Sequence, residues 1–523
     1  MGVSNNKLSM NEIELNEQFL NALELMEKSD KNIFITGRAG TGKSTLLMYF
    51  CNITKKKVVV LAPTGVAALN VNGETIHSFF KFKPNVTVEN IEVLDDEIYR
   101  EIDTIIIDEI SMVRADLLDC IDKFLRLNAR DFSKPFGGVQ MILMGDLYQL
   151  PPVVTKKERE FFKERYRSEY FFDSDVFKDV DWEFIELKKI YRQDDDQFMK
   201  ILNEIRTGTI TDESLLILSR RVNAQLQNIN YAIYLTSHNQ TAKNINQEKL
   251  NQIKGKLYKF EAEIQGDFDE SSFPADYVLS LKKGAQIMML NNDSDGRWVN
   301  GFVGKIIDVH QDDGIVKVLF SNGRIEEVTR YTWDIFHYRY NRRKKMIETE
   351  IVGTFSQFPM RLAWAVTIHK SQGKTFDNVT IDLSKRFFAP GQLYVALSRC
   401  TRLSGISLTR AVTKKDIILD RRILRFLSDF QCKNSEKKLS MSEKMELINR
   451  AIELNKYLLI VYVRSDNEKS RRIVEPRRVG EFSYSGKKFL GLQGYCFKKK
   501  DLRTFRIDRI LDIELIEDRE VIK

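Results

Sequence analysis

The chain has 523 residues, 43% of them hydrophobic and 30% charged, with a formal net charge of +8. That length is too great for a single core and predicts three or four domains at roughly 100–200 residues each, and the balance excludes a disordered or fibrous chain. No apolar run reaches the ~18 residues of a membrane span, the first residues lack the core of a signal peptide, and five scattered cysteines without a Cys-x-x-Cys pair point to reduced core thiols rather than a disulfide framework or zinc site.

The first predicted element is a helix over 15–27, where Leu15, Phe19, Ala22, Leu23 and Met26 share a face and Gln18 sits among the polar positions. Ile33-Phe34-Ile35-Thr36 then runs into Gly37-Arg38-Ala39-Gly40-Thr41-Gly42-Lys43-Ser44-Thr45, a full G-x-x-x-x-G-K-[ST] pattern followed by a helix start. The glycines let the N–H groups of Gly40, Thr41, Gly42 and the residues after them curl around a polyphosphate at a helix N-terminus. Lys43 would reach the β- and γ-phosphates of ATP, and Ser44 would offer a hydroxyl to Mg²⁺. The plain alternative is a Gly-rich turn before an ordinary helix; strand, loop, lysine, hydroxyl and helix in register argue against it.

A second strand, 57–62, ends in Pro63-Thr64-Gly65, and in an open parallel sheet such a turn faces the same cleft as the phosphate loop. In Thr75-Ile76-His77-Ser78-Phe79-Phe80, His77 and Phe79 fit either packing or the holding of unstacked bases. Thr104-Ile105-Ile106-Ile107 delivers Asp108 and Glu109 at its carboxyl end, where Asp108 would orient Mg²⁺ and Glu109 would polarise the attacking water. A fourth strand, 139–144, leads into Gly145-Asp146-Leu147-Tyr148-Gln149-Leu150-Pro151-Pro152.

Taken together with the segments at 62–68, 75–80 and 108–111, this string resembles the Pif-type branch of the superfamily 1B, RecD-like DNA helicases. Leu187-Lys188-Lys189-Ile190-Tyr191-Arg192-Gln193, the run from Phe358 to Gly373 containing Thr367-Ile368-His369-Lys370-Ser371-Gln372-Gly373, and Gly391-Gln392-Leu393-Tyr394-Val395-Ala396-Leu397-Ser398-Arg399 resemble its later motifs in the right order. The resemblance implies that Gln18 reads the adenine edge, that Tyr191 lies beside the base, and that Gln149 senses the γ-phosphate. It implies Arg192 and Arg399 as arginine fingers from a second motor domain, a role that suits an always-charged planar donor. It places Gln372 and Gly373 on the nucleotide side, and Pro63, Thr64, His77, Phe79, Asn300, Thr367, His369, Lys370 and Ser371 on DNA.

Between about 305 and 356 the pattern turns to short strands around a basic turn, Arg342-Arg343-Lys344-Lys345. The family implies a small β-barrel there that helps clamp the strand. A polar stretch, 433–438, reads as a linker. Residues 441–523 carry roughly 19 Lys and Arg against 14 Asp and Glu, most of the chain's surplus. The run from Leu458 through Arg472 to Arg503, Phe505, Arg506 and Arg509 resembles a WYL-type domain, with Leu490-Gly491-Leu492 where that family carries its Trp-Tyr-Leu tripeptide. Arg472, Arg503 and Arg506 with Tyr462 and Phe505 then form either a nucleic-acid surface or solvated strand faces.

The expected architecture is α/β: two RecA-like P-loop motor domains with parallel sheets, a β-barrel insertion and a C-terminal β-rich WYL-type domain. The expected bounds are 1–186 for the first motor domain with a strand-separating pin in 81–100, 187–304 and 357–432 for the second, 305–356 for the insertion and 439–523 for the last. The expected activity is an ATP- and Mg²⁺-dependent helicase moving 5′ to 3′ on single-stranded DNA. Its expected partners are forks, with G-quadruplexes or RNA–DNA hybrids as further substrates, and it would work as a monomer away from membranes, in the cytoplasm or on a bacterial nucleoid. The resemblance also implies work in DNA replication, repair or telomere maintenance. Two other readings fit the same residues: a DNA-stimulated translocase that does not separate strands, and a ligand-sensing regulator.

Overall fold

The apolar runs of the first third pair in parallel. In the computed structural model, which describes residues 16–193, 195–226, 231–464, 469–484 and 486–517, β1 (Asn32–Gly37), β2 (Val58–Ala62), β3 (Glu74–Thr75), β4 (Thr104–Ile107), β5 (Gln140–Gly145) and β6 (Trp182–Leu187) form one sheet in the order β3-β2-β4-β5-β1-β6. β4 and β5 are buried along their whole length, as central strands covered on both faces must be. The registers Thr36↔Gly145 and Ile107↔Leu143 align the carboxyl ends of β1, β5 and β4 on one rim. The phosphate loop, the Asp108–Glu109 pair and the Asp146–Gln149 turn therefore leave the sheet side by side.

The second motor domain has a smaller parallel sheet in the spatial order Ala365–Thr367, Ile233–Thr236, Val379–Ile381, Ile406–Leu408. Between its first two strands in sequence lies the β-rich insertion, and it is larger than 305–356. Gln286–Met289 pairs antiparallel with both Val303–His310 and Met360–Leu362, so the five-stranded sheet begins before residue 305 and ends after 356. A buried run such as Gln286–Met289 has the same sequence signature in either domain; only its antiparallel partners assign it. The long hairpin Tyr331–Asn341 with Met346–Gln357 takes Glu263–Gly266 as a third strand.

That hairpin docks on the first motor domain. β3 covers only the last two residues of β2, which leaves the Val60 N–H without a strand partner, and it donates to the Tyr338 hydroxyl at 3.2 Å. Beside it the buried Glu74 carboxylate meets His337 Nδ1 at 2.6 Å and accepts from Ser78 Oγ at 2.6 Å; burial pushes its pKa up. Within 81–100, Tyr99 is core, packed edge-on against Phe79 and Phe124, and the rest of the segment is a 3₁₀ turn at Val88–Asn90 and loop before the helix Ile98–Glu101.

By its internal contacts the chain divides into two units, the second made of Thr207–Thr209 and Leu419–Lys523. This second unit is a five-stranded antiparallel sheet in the order Asp501–Arg506, Lys487–Cys496, Lys469–Tyr484, Tyr457–Val463, Ile510–Ile516. The helix Met441–Glu453, opened by a Ser440/Glu443 capping box, contributes Ile448 and Ala451 to its core. Residues 433–438 are not a linker: they end the helix Arg421–Lys438, whose Ser435 hydroxyl donates to the Leu511 carbonyl at 2.6 Å. The buried positions Ile423, Leu427, Gln431 and Ser435 recur every four residues, but the last two are polar and hide the period from an apolar count.

Candidate active site

The phosphate loop turns on Gly40 and Gly42, both at φ +82°, and Gly42 caps the helix Lys43–Ile53. The Lys43 ammonium donates to the Gly37 carbonyl at 2.8 Å and the Arg38 carbonyl at 3.2 Å. Burial lowers its pKa, opposed by the nearby carboxylates of Asp146, Glu109 and Asp108. Ser44 and Thr45 lie in the first helical turn, with Ser44 exposed to the cleft. Thr41 is buried, its hydroxyl donating to the Arg38 carbonyl at 2.9 Å.

Asp108 is buried, which raises its pKa, and Glu109 leaves β4 in the left-handed region at φ 51°. Burial first and the Asp108 charge second push the Glu109 carboxyl up to about 7. The second motor domain reaches this pair through Gln372, whose amide lies 3.1 Å from Gln149 Oε1 and 3.4 Å from Glu109 Oε2. Gly373 follows at φ +78°.

Arg192 lies against the loop so closely that a Cβ on Gly40 would stand 2.5 Å from the Arg192 Cβ, and the Tyr191 N–H donates to the Gly40 carbonyl at 2.8 Å. The exposed Tyr191 ring and Phe19 flank Gly42, Asn16 donates to the Tyr191 hydroxyl at 2.8 Å, and Gln18 accepts from the Lys188 N–H at 2.9 Å. Gln18 and Tyr191, the two residues expected at a purine, thus lie on neighbouring segments. Arg399 is 1% exposed, and its donors go to the carbonyls of Val395, Ser371 and Lys374 and to Ser398 Oγ. Burial, then the Arg192 charge, lowers its pKa to about 9. Acting as a finger takes the exchange of at least one carbonyl partner for a phosphate oxygen.

The residues expected on DNA divide. Pro63 and Thr64 precede the helix Gly65–Asn70, with Thr64 exposed and capping it through Ala67 N–H. His369 and Lys370 are exposed beyond the carboxyl end of Ala365–Thr367, while Thr367 is buried, its hydroxyl accepting from the Lys370 N–H at 3.3 Å. Asn300 donates from its amide to Asn70 Oδ1 at 3.4 Å, and its own Oδ1 is buried without a partner. His77 is half-buried, its pKa lowered by burial and by Arg114.

Two expectations are corrected. Phe79 is 5% exposed and packed edge-on against Phe80, Tyr99 and Tyr338, so it presents no ring face to a base. Ser371 is fully buried, and its hydroxyl donates to the Ile368 carbonyl at 2.7 Å.

In the second unit Arg472 is 9% exposed rather than on the surface, with Nε donating to Ser470 Oγ at 3.0 Å. Arg503 lies 3.4 Å from Asp501 and Arg506 pairs with Asp508, so both charges are matched locally. Phe505 is buried edge-on to Tyr462.

Three neighbouring parallel strands each deliver an aromatic ring to one rim: Ala365–Thr367 leads to His369, Ile233–Thr236 to His238 and Val379–Ile381 to Phe388. Phe388 is 62% exposed, with His238 edge-on at 5.8 Å and His369 nearly parallel at 6.4 Å. His238 and Phe388 escaped the sequence reading because neither lies in a phosphate or carboxylate pattern; the available signal was Phe388 set before Ala389-Pro390 in a loop.

A phosphate loop and acidic pair on one parallel sheet, met by a glutamine side chain from a second, define a two-domain P-loop motor. A profile of PIF1-like helicases matches residues 9–215, and a WYL domain profile matches 443–515. The ATP-dependent DNA helicase Pif1 of Bdellovibrio bacteriovorus is 32% identical over 438 residues, covering 81% of this chain and 94% of that protein. The chain belongs to the PIF1-like helicase family. The crystal structure of Bacteroides Pif1 in complex with ADP-AlF4 is 37% identical with a TM-score of 0.72, over 82% of this chain and 98% of that one. Bacteroides Pif1 bound to ssDNA is 38% identical with a TM-score of 0.58, over 79% and 96%.

Proposed function

We propose that this chain hydrolyses ATP and spends the cycle moving 5′ to 3′ along single-stranded DNA, separating the duplex ahead of it. The observation that carries this is the bridge of Gln372 to both Glu109 and Gln149: groups that handle the nucleotide meet a residue three positions from the DNA-side His369. Closing the cleft and engaging the strand become one motion, since the same short turn serves both. Glu109 takes the proton of the attacking water, Gln149 and Lys43 hold the γ-phosphate, and Arg192 meets the charge that develops on it. Both halves of the site belong to one chain, so a monomer suffices.

A divalent cation fits these residues. A serine hydroxyl and a buried carboxylate, Ser44 and Asp108, are hard oxygen donors of the kind Mg²⁺ takes sparingly while phosphate and water complete its shell. Among the described residues no group of three or more His, Cys, Asp or Glu side chains forms a rival metal site. When bound, Mg²⁺ would neutralise the β- and γ-phosphate oxygens.

The DNA grip is read as backbone contact by Thr64 and Lys370 with base stacking on Phe388 and His369, which tolerates any sequence. A fork with a 5′ tail is the substrate this grip suits best. G-quadruplexes and RNA–DNA hybrids are further substrates, because nothing in the grip requires a particular base. Phe388→Ala should weaken ssDNA affinity by about 1–3 kcal/mol and leave DNA-free ATP hydrolysis unchanged; an unaltered Kd in a fluorescence-anisotropy titration removes the stacking platform. The direction is tested by unwinding of duplexes bearing a 5′ or a 3′ tail. Product from the 5′-tailed duplex alone is expected; the reverse preference refutes the polarity, and none from either with ATPase intact favours a translocase.

A further inference from the structure

Tyr394 connects the two motor domains at a point where no phosphate-handling role falls to it. It lies on the helix Gln392–Leu397, 4% exposed, and its hydroxyl makes two hydrogen bonds to the first motor domain. It accepts from the backbone N–H of Ala39, inside the phosphate loop, at 3.2 Å, and donates to Asp146 Oδ2 at 3.2 Å. Asp146 is fully buried and receives Gln149 Nε2 on the same oxygen at 3.4 Å, while its other oxygen faces Arg206 at 3.5 Å. The Arg206 guanidinium in turn lies 4.0 Å over the Tyr148 ring.

One hydroxyl thus ties the phosphate-loop backbone to the carboxylate that orients Gln149. A phenylalanine would fill the same space without the cost of burying a polar group, so the hydroxyl contributes through its two bonds or not at all. The seat is built for close approach: Gly391, at φ +78°, begins the helix so near the Asp146–Gln149 turn that a Cβ there would stand 2.5 Å from the carbonyl oxygens of Tyr148 and Gln149. A small cavity bounded by Arg38, Ala39, Gln193, Arg206 and Ser398 adjoins Tyr394.

We propose that Tyr394 is a positioning residue for ATP hydrolysis, whose hydroxyl carries closure of the second motor domain to the phosphate loop at Ala39 and, through Asp146, to Gln149. The relay rests on the ATP site described above. Asp146 is its branch point and Arg206 holds that carboxylate in place.

The test is steady-state ATP hydrolysis by the full chain with saturating ssDNA. Tyr394→Phe should lower kcat about tenfold, the scale of one hydrogen bond to a charged group, with KM for ATP and Kd for ssDNA unchanged. Asp146→Asn should lower kcat as well, and the double variant should be no slower than the slower single, because both cut one relay. A kcat for Tyr394→Phe equal to that of the parent, a loss confined to KM, or losses that multiply in the double variant would overturn the proposal. Lys43→Ala, measured alongside, separates this relay from the ATP site itself: turnover that survives it refutes the site, whereas its loss with Tyr394→Phe unaffected refutes only the relay.

Discussion

Lys43→Ala should reduce DNA-stimulated ATP hydrolysis by about 10³-fold, the scale of removing one preorganised charge from a transferring phosphoryl group, while ssDNA binding stays measurable. The ammonium is held by the Gly37 and Arg38 carbonyls at the head of the helix Lys43–Ile53, among the carboxylates of Asp146, Glu109 and Asp108. A phosphate oxygen arriving there exchanges neutral carbonyls for a charged partner, and alanine has nothing to offer it. Loss of the cation also removes the counter-charge to Asp146, Glu109 and Asp108, so the variant should bind ATP weakly as well as turn it over slowly. The residues proposed to meet DNA follow other strand ends and keep their positions. Colorimetric phosphate release beside an anisotropy titration with an oligonucleotide checks both halves; undiminished turnover would remove Lys43 from the site.

Glu109→Gln should separate binding from chemistry. The amide keeps the shape and can still accept from Gln372, so the cleft closes, but it cannot take a proton. Hydrolysis should fall by roughly 10²–10⁴-fold, the usual contribution of a general base, with ATP affinity kept or raised because a repelling charge beside Asp108 is gone. A single-turnover measurement reads the chemical step directly, and filter binding reads the affinity. Turnover near that of the parent would assign the base elsewhere. The outcome differs from that of Lys43→Ala in kind: one variant fails to hold ATP, the other holds it and does not cut it.

The proposed nucleotide half of this site was legible in the chain because its chemistry is local. A phosphate loop needs glycines, a lysine and a hydroxyl at fixed spacing, and the sheet needs continuous apolar runs to carry them, so residues 33–45 and 104–109 announced themselves. The proposed DNA half was less legible, since exposed and buried uses of the same side chain look alike in a sequence. Phe79 proved to be core against Tyr99 and Tyr338, and Ser371 closes its own turn. Phe388 is the exposed ring, and no pattern named it.

The limits of the insertion and the 433–438 stretch were misjudged for a related reason. Gln286–Met289 reads as a buried strand whichever sheet claims it, and the helix Arg421–Lys438 buries Gln431 and Ser435 where an apolar count expects a gap. By itself the amino-acid sequence determined the P-loop, the acidic pair, the order of the motor's motifs and the presence of two further β-rich parts, because each depends on residues near one another in the chain. Only the tertiary structure decided that Gln372 meets Glu109 and Gln149, that Tyr394 spans Ala39 and Asp146, and that three strand ends gather His238, His369 and Phe388. Those contacts join residues that parallel-sheet crossovers bring together across tens to hundreds of positions, and the spacing of such partners leaves no period in the sequence.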